Sequence, residues 1–502
     1  MSRTTIDAPT THRPPASPPA TAQPHHAPAE PPDRRKWLAL AVLMAAEFMN
    51  LVDATIVNVA LPSIQRDLGA SFSAVQWVTG GYALAFAAML VTGGRLGDLV
   101  GRRRLFLMGL AGFTAASVAC GLATGAAWLV TARLAQGGAA AMMVPQVLSI
   151  MNVSFTSEER GKVFGLLGGI VGLGAVSGPL LGAVLTEADI LGLGWRPIFL
   201  VNLPVGLIAI WLGRRWVDES RADRPLRLDP VGVALAVTAV GLLLYPLTTG
   251  EQAGWPAYDF AMMAAAPVLL AVFVWYERGK DRRDGSPLVD LGLFRIATFA
   301  AGLGVQLLFG IVMGIFFLVW TLYMQQGLGW SPLHAGLTVV PFSVAMAVAA
   351  TCSVQVLVPR FGRRVLHAGV VSMLVGIGGY VVVIESYGAG LTTWGMTLPL
   401  VLMGAGMGLI VAPLMNVILS QVPSEYSGSA SGLTNTTNQL GFALGLGLVS
   451  VAFVRFLYPV HDAAVVPDMY GGAFEHGLAW VCGALLLAAA AMFALPRAAG
   501  HQ

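Results

Sequence analysis

Two short constellations of polar residues stand inside otherwise apolar stretches of this 502-residue chain. The first is Glu47, Asn50 and Asp53, spaced i, i+3 and i+6, which on a helix fall along one slowly drifting stripe. The second is Arg133 and Gln136, again three residues apart. A carboxylate or a guanidinium among apolar neighbours is costly unless it finds a partner. Such a pair suits the uptake and release of a proton: burial favours the neutral acid and a nearby cation favours the charged one, so small shifts in geometry switch the balance. Either acid can also be purely structural, facing a packed polar contact.

Other chemistries find less support. The eight histidines are scattered, and no H-x-x-x-H or Cys/His grouping occurs, so no metal site is expected. Cys120, Cys352 and Cys482 all fall inside apolar runs and indicate no disulfide framework. The only lysines are Lys36, Lys162 and Lys280, and none sits in a G-x-x-x-x-G-K-[ST] loop. The chain therefore supplies no ATPase domain and calls for no cofactor; energy must come from an ion gradient or another chain.

The elements that hold these residues are dictated by composition. Hydrophobic residues make up 56% of the chain and charged ones 11%, against about 25% charged in a soluble domain. A chain so poor in charge cannot cover several soluble domains, so the solvent for most of it is lipid. Its net charge of +3 suggests no polyanionic partner such as nucleic acid. Arginine far outnumbers lysine, which fits GC-rich codon usage and hints at a bacterial source.

Residues 1–36 form a Pro/Ala/Thr-rich tail with no apolar segment before a cleavage site, expected to be extended and disordered. Its adjacent His25 and His26 have no further ligands nearby. Fourteen apolar runs of spanning length, each needing about 20 residues, then follow at 37–61, 76–94, 105–124, 127–150, 163–186, 197–213, 230–249, 258–276, 297–325, 333–358, 366–385, 395–421, 428–455 and 475–495. An even count puts both termini on one side. With that side cytoplasmic, all basic residues except Arg66, Arg133, Arg196 and Arg455 lie in tails and cytoplasmic loops, as the positive-inside rule requires. Counted from the ends of their spans at about 1.5 Å per residue, Asp53 and Arg133 share a depth of roughly 10–12 Å below the outer surface, and Glu47 lies near the midplane.

An internal repeat divides the chain. Gly94-Arg95-Leu96-Gly97-Asp98-Leu99-Val100-Gly101-Arg102-Arg103 follows span 2, and Gln355-Val356-Leu357-Val358-Pro359-Arg360-Phe361-Gly362-Arg363-Arg364 follows span 10. The expected organisation is a tail (1–36), a six-helix half (37–213), a linker with two extra spans (214–296), a second six-helix half (297–495) and a short cytoplasmic tail (496–502). Repeated halves with a site between them are a transporter architecture.

The first decapeptide resembles motif A of the major facilitator superfamily, G-x-L-x-D-x-x-G-R-R, in Gly94, Gly97, Asp98, Gly101, Arg102 and Arg103. It departs at Leu99, where the family often has Arg, and the second copy has Pro359 in place of the acid. The stretch from Asp53 to Pro62 resembles the first-helix motif of the fourteen-span drug:proton antiporters. Arg133 to Ala139 is similar to motif B. Gly174, Gly178, Pro179 and Gly182 are similar to motif C, a signature of exporters, with Ala183 where a second terminal Gly is common. Trp195 to Pro204 and Ser427 to Asn435 fit the same family, so the resemblance runs from about 37 to 455. Independently of any family, glycines every four residues line one stripe of a helix and permit close contact with a neighbour.

The resemblance implies an all-α multi-pass membrane protein of the major facilitator fold. It implies an antiporter, not an enzyme, that exports a small amphipathic drug or antibiotic across the bacterial plasma membrane while protons run inward. It is expected to work as a monomer in the bilayer. Spans 1 and 4 line the cavity in that fold, so Asp53 and Arg133 are expected to form the coupling core, with Glu47, Asn50 and Gln136 nearby. Asp98 is expected to hold the cytoplasmic side closed against the start of span 13 near Gly428. Phe309, Phe316, Trp320 and Tyr323 share one face of span 9, as an aromatic wall for a drug or as lipid-facing bulk. Asn435, with Asn438 and Gln439, is expected to face the cavity, since lipid cannot satisfy an amide. A metabolite symporter is the rival within transport, disfavoured by the motif C glycines; a membrane-embedded enzyme is the rival outside it.

Overall fold

In a computed structural model, residues 34–221, 228–285, 287–419, 421–422, 427–457 and 466–495 are described. The proline-rich tail lies outside them. Lipid offers the backbone no hydrogen bonds, so apolar runs must satisfy their own N–H and C=O groups as helices. The chain accordingly forms α1 (Arg34–Leu68), α2 (Phe72–Val100), α3 (Arg102–Gly121), α4 (Ala126–Ser154), α5 (Ser157–Glu187), α6 (Pro197–Leu200), α7 (Asn202–Trp216), α8 (Pro230–Ala253) and α9 (Ala257–Asp284). The second part adds α10 (Ala297–Leu322), α11 (Pro332–Thr338), α12 (Val340–Cys352), α13 (Val358–Phe361), α14 (Arg364–Tyr387), α15 (Thr393–Leu419), α16 (Ser427–Ala452) and α17 (Val466–Met492).

Among the described residues, 13 helices are long and apolar enough to cross a membrane. The run at 163–186 lies in α5, a 31-residue helix several of whose side chains are outside the described set. Polar side chains mark the starts: Ser71 caps α2 and Asp229 caps α8, while Thr156 and Glu159 form a reciprocal capping box on α5. Between α2 and α3 the chain reverses at Gly101, with φ of 118°, and the matching turn before α14 is made by Gly362 at 56°. Side chains rarely adopt either conformation.

One boundary differs from the expected one in a way that matters. The first span was expected to end at 61, before Pro62, yet α1 continues through Pro62 to Leu68. Pro62 has no N–H to return to the Asn58 carbonyl one turn back, a loss that membrane helices tolerate where neighbouring groups compensate; its own carbonyl accepts from Arg66 Nε at 3.4 Å. Asp53 is therefore mid-helix, not near an end, whereas Arg133 is only seven residues into α4.

The same packing scheme occurs twice. In the first group α1 packs on α5 and α7, and α4 packs on α2 and α3; in the second α10 packs on α16 and α17, and α15 packs on α12 and α14. The groups meet along α2–α16 and through α5–α11. The hairpin α8–α9 leans on α2 and α16 by α8 alone, leaving α9 the least buried spanning helix among those described.

Candidate functional site

Asp53 and Arg133, both with side chains 0% exposed, meet inside the first six-helix group. Arg133 Nη1 lies 2.7 Å from Asp53 Oδ2. Asp53 Oδ1 accepts from Gln136 Nε2 and from Asn202 Nδ2, each at 2.8 Å. Gln136 Oε1 in turn accepts from Arg133 Nη1 at 2.9 Å, and Asn202 also donates to Ser117 Oγ at 2.9 Å. The pair thus draws on α1, α3, α4 and α7, whose mutual packing sets its geometry.

The network is closed to the central cavity by Tyr82. The guanidinium carbon of Arg133 sits 4.2 Å from the Tyr82 ring centre, a cation–π arrangement. Arg133 Nε donates to the Val78 carbonyl at 3.0 Å, and the Tyr82 hydroxyl donates to Asn50 Oδ1 at 2.8 Å. Arg133 Nη2 and Glu47 Oε2 are buried with no hydrogen-bond partner among the described residues. Asn50 therefore joins the site through Tyr82, while Glu47 stands apart from the ion pair.

On the other face of Tyr82 lies a cavity of about 220 Å³ between the two groups. Ala54, Thr55, Asn58, Thr79, Tyr82 and Pro179 line it from one side, and Phe317, Thr321, Phe342, Met346, Met407, Gln439 and Phe442 from the other. Among the described residues, no charged side chain lines it. A cationic ligand in this cavity would feel Asp53 only through Tyr82 and the arginine, so direct competition for the carboxylate is not available here.

The glycines of motif C let α5 press against α1 beside this site. A Cβ on Gly174 would stand 2.8 Å from Leu51 Cβ, one on Gly178 would run into Thr55 Oγ1, and one on Gly182 would reach 2.5 Å from the Ile56 carbonyl. Pro179 lines the cavity and its carbonyl, with Ala183, packs against Gly336 of α11. The stripe is a contact between helices on both of its flanks.

In motif A, Asp98 pairs with Arg102, accepting from Nη2 at 2.8 Å and Nε at 3.1 Å. The side chains of the first turn of α16, Gly428 among them, are outside the described residues. Gly97 leaves room for Gln146, whose Nε2 donates to the Gly93 carbonyl at 2.9 Å, and Gly94 faces Pro145. Glu219 accepts from the backbone N–H of Arg103 and Arg104, and the Arg103 guanidinium donates to the Arg214 carbonyl.

The aromatic face of span 9 is neither a cavity wall nor lipid-facing. Phe309, Phe316, Trp320 and Tyr323 are each 1–2% exposed. Trp320 Nε1 donates to the Tyr380 hydroxyl at 3.2 Å, Tyr323 stacks on Phe474 at 4.8 Å, and Phe316 stacks on Phe342 at 5.9 Å. Their neighbours Phe317 and Thr321 carry the cavity face. A helix packed on all sides offers no periodicity by which sequence could tell one inward face from another. Asn435 is half-buried, and Gln439, one turn on along α16, is the amide that α16 presents to the cavity.

At the end opposite motif A the groups are tied together. Gln325 Nε2 donates to the Val59 carbonyl at 2.7 Å, Gln326 Nε2 to Gln65 Oε1 at 2.9 Å, and the Leu333 N–H to Glu187 Oε2 at 2.9 Å. Both glutamines sit in a π-helical turn, Tyr323–Gly327.

Comparison with known proteins places this geometry. The sequence model of the Major Facilitator Superfamily matches residues 43–446. The chain is 41% identical over 435 residues to the probable actinorhodin transporter of Streptomyces coelicolor, covering 87% of this chain and 75% of that one. It is 36% identical over 444 residues to the multidrug resistance protein Stp of Mycobacterium tuberculosis, covering 87% and 80%. With the tetracenomycin C resistance and export protein of Streptomyces glaucescens it shares 34% over 442 residues, covering 86% and 79%. A solved bacterial homologue of the lysosomal transporter Spinster, inward-facing and unoccupied, superposes with a TM-score of 0.64 at 17% identity, over 92% of this chain and 97% of that one.

Proposed function

The chain belongs to the major facilitator superfamily, and from that premise we propose that it exports an amphipathic drug or antibiotic from the bacterial cytoplasm in exchange for protons. The observation that carries the reading is the buried Asp53–Arg133 pair behind a cavity lined by both groups. Its relatives' names support the cargo: one is a probable actinorhodin transporter, another a tetracenomycin C resistance and export protein, a third a multidrug resistance protein. An uncharged lining of phenylalanine, methionine and small polar groups suits an uncharged aromatic compound, with Asn58, Thr321, Ser343 and Gln439 to hydrogen-bond its polar edge.

In this reading motif A is cytoplasmic, both termini are cytoplasmic, and fourteen spans form two six-helix halves with α8–α9 between them. The ties at the far end, Gln325 to Val59 and Gln326 to Gln65, hold the outer side shut. Asp53 carries the proton. As a carboxylate it accepts three N–H groups, from Arg133, Gln136 and Asn202. Protonation would cost it at least one of these and release Arg133, whose stacking on Tyr82 passes the change to the cavity wall. Asp98 would exchange Arg102 for the start of α16 when the cytoplasmic side closes.

Everted membrane vesicles test this. An acid-inside gradient should drive uptake of a fluorescent aromatic drug, and an ionophore that collapses the gradient should abolish it. ATP-driven uptake by the purified protein alone would exclude the antiporter. Uptake that requires an acid-outside gradient would favour a symporter.

A further inference from the structure

The C-terminal end of α9 carries a cluster of cations that the transport reading leaves unused. Trp275, Tyr276, Arg278, Gly279, Lys280, Arg282 and Arg283 surround an open notch. Gly279 is its floor, since a Cβ there would meet nothing within 4 Å. Positions 275, 278 and 282 form one wall and 276, 280 and 283 the other, by the three- and four-residue spacing of a helix. Trp275 is 76% exposed at the rim.

We propose that this notch binds the headgroup of an anionic phospholipid of the cytoplasmic leaflet, anchoring the α8–α9 hairpin. Three observations point to a ligand. First, the arginines here are unlike those of motif A. Arg102, Arg103 and Arg104 are bound to Asp98, to the Arg214 carbonyl and to Glu219. Arg278, Arg282 and Arg283 have no hydrogen bond or ion pair among the described residues. Second, two acids of this turn, among the described residues, stand away from the notch. Glu277 is buried on the opposite face, where it accepts from the Val289 N–H at 3.1 Å, and Asp281 is not part of the lining. Third, the notch continues an exposed apolar surface, Phe260, Val268, Val272 and Trp275 of the least buried spanning helix. A ligand with acyl chains fits such a surface; a free anion uses none of it. Cations in a last turn complement the helix dipole, which accounts for Arg282 and Arg283 but not for Arg278 or the empty floor. A tryptophan beside basic residues is the arrangement expected at a headgroup boundary.

The test is native mass spectrometry of the delipidated full-length protein, titrated separately with phosphatidylglycerol, phosphatidylcholine and glycerol phosphate. Phosphatidylglycerol should be retained in preference to the other two. An Arg278→Gln, Arg282→Gln, Arg283→Gln variant should bind it on the order of a hundredfold more weakly, at about fivefold per surface arginine. Gly279→Leu keeps every charge and fills the notch; it should lose binding to a similar degree. Equal retention of phosphatidylcholine, or wild-type binding by the triple variant, would overturn the proposal. Wild-type binding by Gly279→Leu would reduce the notch to a diffuse charge effect, and glycerol phosphate bound as tightly as the lipid would show a free-anion site instead. These readouts do not involve transport, so they stand or fall apart from the exporter reading.

Discussion

Behind α1, the first six-helix group encloses Asp53, Arg133, Gln136 and Asn202 in one ionic network. At the matching place behind α10, the second encloses Trp320, Tyr380 and Met396, with the Tyr380 hydroxyl donating to the Met396 sulfur at 2.9 Å. Two of the helices correspond, α1 with α10 and α4 with α15, while the third contributor is α7 in the first half and α14 in the second. The close-packing device is shared as well. Gly178 and Gly182 press α5 on α1, while Gly441 and Gly445 press α16 on α10, with Gly310 and Gly314 reciprocating. Helix spacing is thus duplicated and charge is not. In the proposed antiporter, this difference would confine proton chemistry to the first half, with the second an aromatic scaffold for the cavity.

The widest separation should come from removing the hydroxyl or carboxylate at these two places. Asp53→Asn leaves Arg133 buried without its anion, and breaking such a pair costs about 3–5 kcal/mol. It should abolish gradient-driven accumulation of drug in proteoliposomes. Adding Arg133→Ala should cost little more, because the two act as a unit. Tyr380→Phe gives up two neutral hydrogen bonds, from Trp320 and to the Met396 sulfur, worth about 1 kcal/mol each, and should accumulate drug at close to the wild-type rate. If Tyr380→Phe fails as Asp53→Asn does, the division of labour between the halves is wrong.

A smaller contrast lies in the glycine contacts. A leucine at Gly178 would collide with Thr55, two residues from Asp53, and a leucine at Gly445 would collide with the Ile311 carbonyl. Both should slow export strongly, provided the variants still insert and fold. Gly178→Leu alone should also move the pH midpoint of transport if Asp53 carries the proton as proposed, since it displaces the turn that holds Asp53. Equal midpoints in the two variants would make motif C a packing device and nothing further.

How much of this is legible in the sequence follows from what each residue contrasts with. Asp53 and Arg133 stand out because a charge in an apolar run is conspicuous, and a buried arginine must find an acid. Asn202 is conspicuous by the same logic but reads only as a piece of a family pattern, since nothing local says that α7 turns it toward α1. Tyr82 gives no signal at all: a tyrosine in an apolar helix is ordinary, and its place between cavity and arginine is a fact of how α2 crosses α4. The α10 aromatics share a face in sequence, but α10 is packed on most of its sides, and that face is core. Gly310 and Gly314 are spaced as regularly as the motif C glycines, yet regular spacing alone does not name the helix they press against.

Within α10 itself two adjacent rings sharpen the scaffold assignment. Phe316 is 2% exposed and Phe317 lines the cavity, the two rings meeting edge-on at 5.5 Å. Truncating a buried phenylalanine costs about 3–5 kcal/mol in soluble proteins. Phe316→Ala should therefore lower the melting temperature in detergent markedly. Phe317→Ala should leave melting nearly unchanged and weaken drug binding severalfold, as measured by fluorescence quenching. The reverse pattern would put the cavity on the other face.

The faintest contrast sits where each half closes at the motif A end. In the first, Lys36 Nζ donates to Glu159 Oε1 at 2.6 Å, joining α1 to α5. In the second, the corresponding tie of α10 is neutral: Thr298 Oγ1 donates to Gln421 Oε1 at 2.6 Å. Lys36 and the Thr156 N–H hold the Glu159 carboxyl below its usual range. A depressed folded-state value means that the unfolded chain takes up the proton more readily. The stabilisation is therefore complete above the ordinary carboxylate range and is lost as pH falls through the lower, folded-state value. Both partners are about a quarter exposed, so solvent and salt screen the effect and it should be small. Melting followed from neutral pH down through the carboxylate range should show a shallow decline that Glu159→Gln flattens and Gln421→Ala does not. A decline of the same slope in Glu159→Gln would assign the acid sensitivity to other groups.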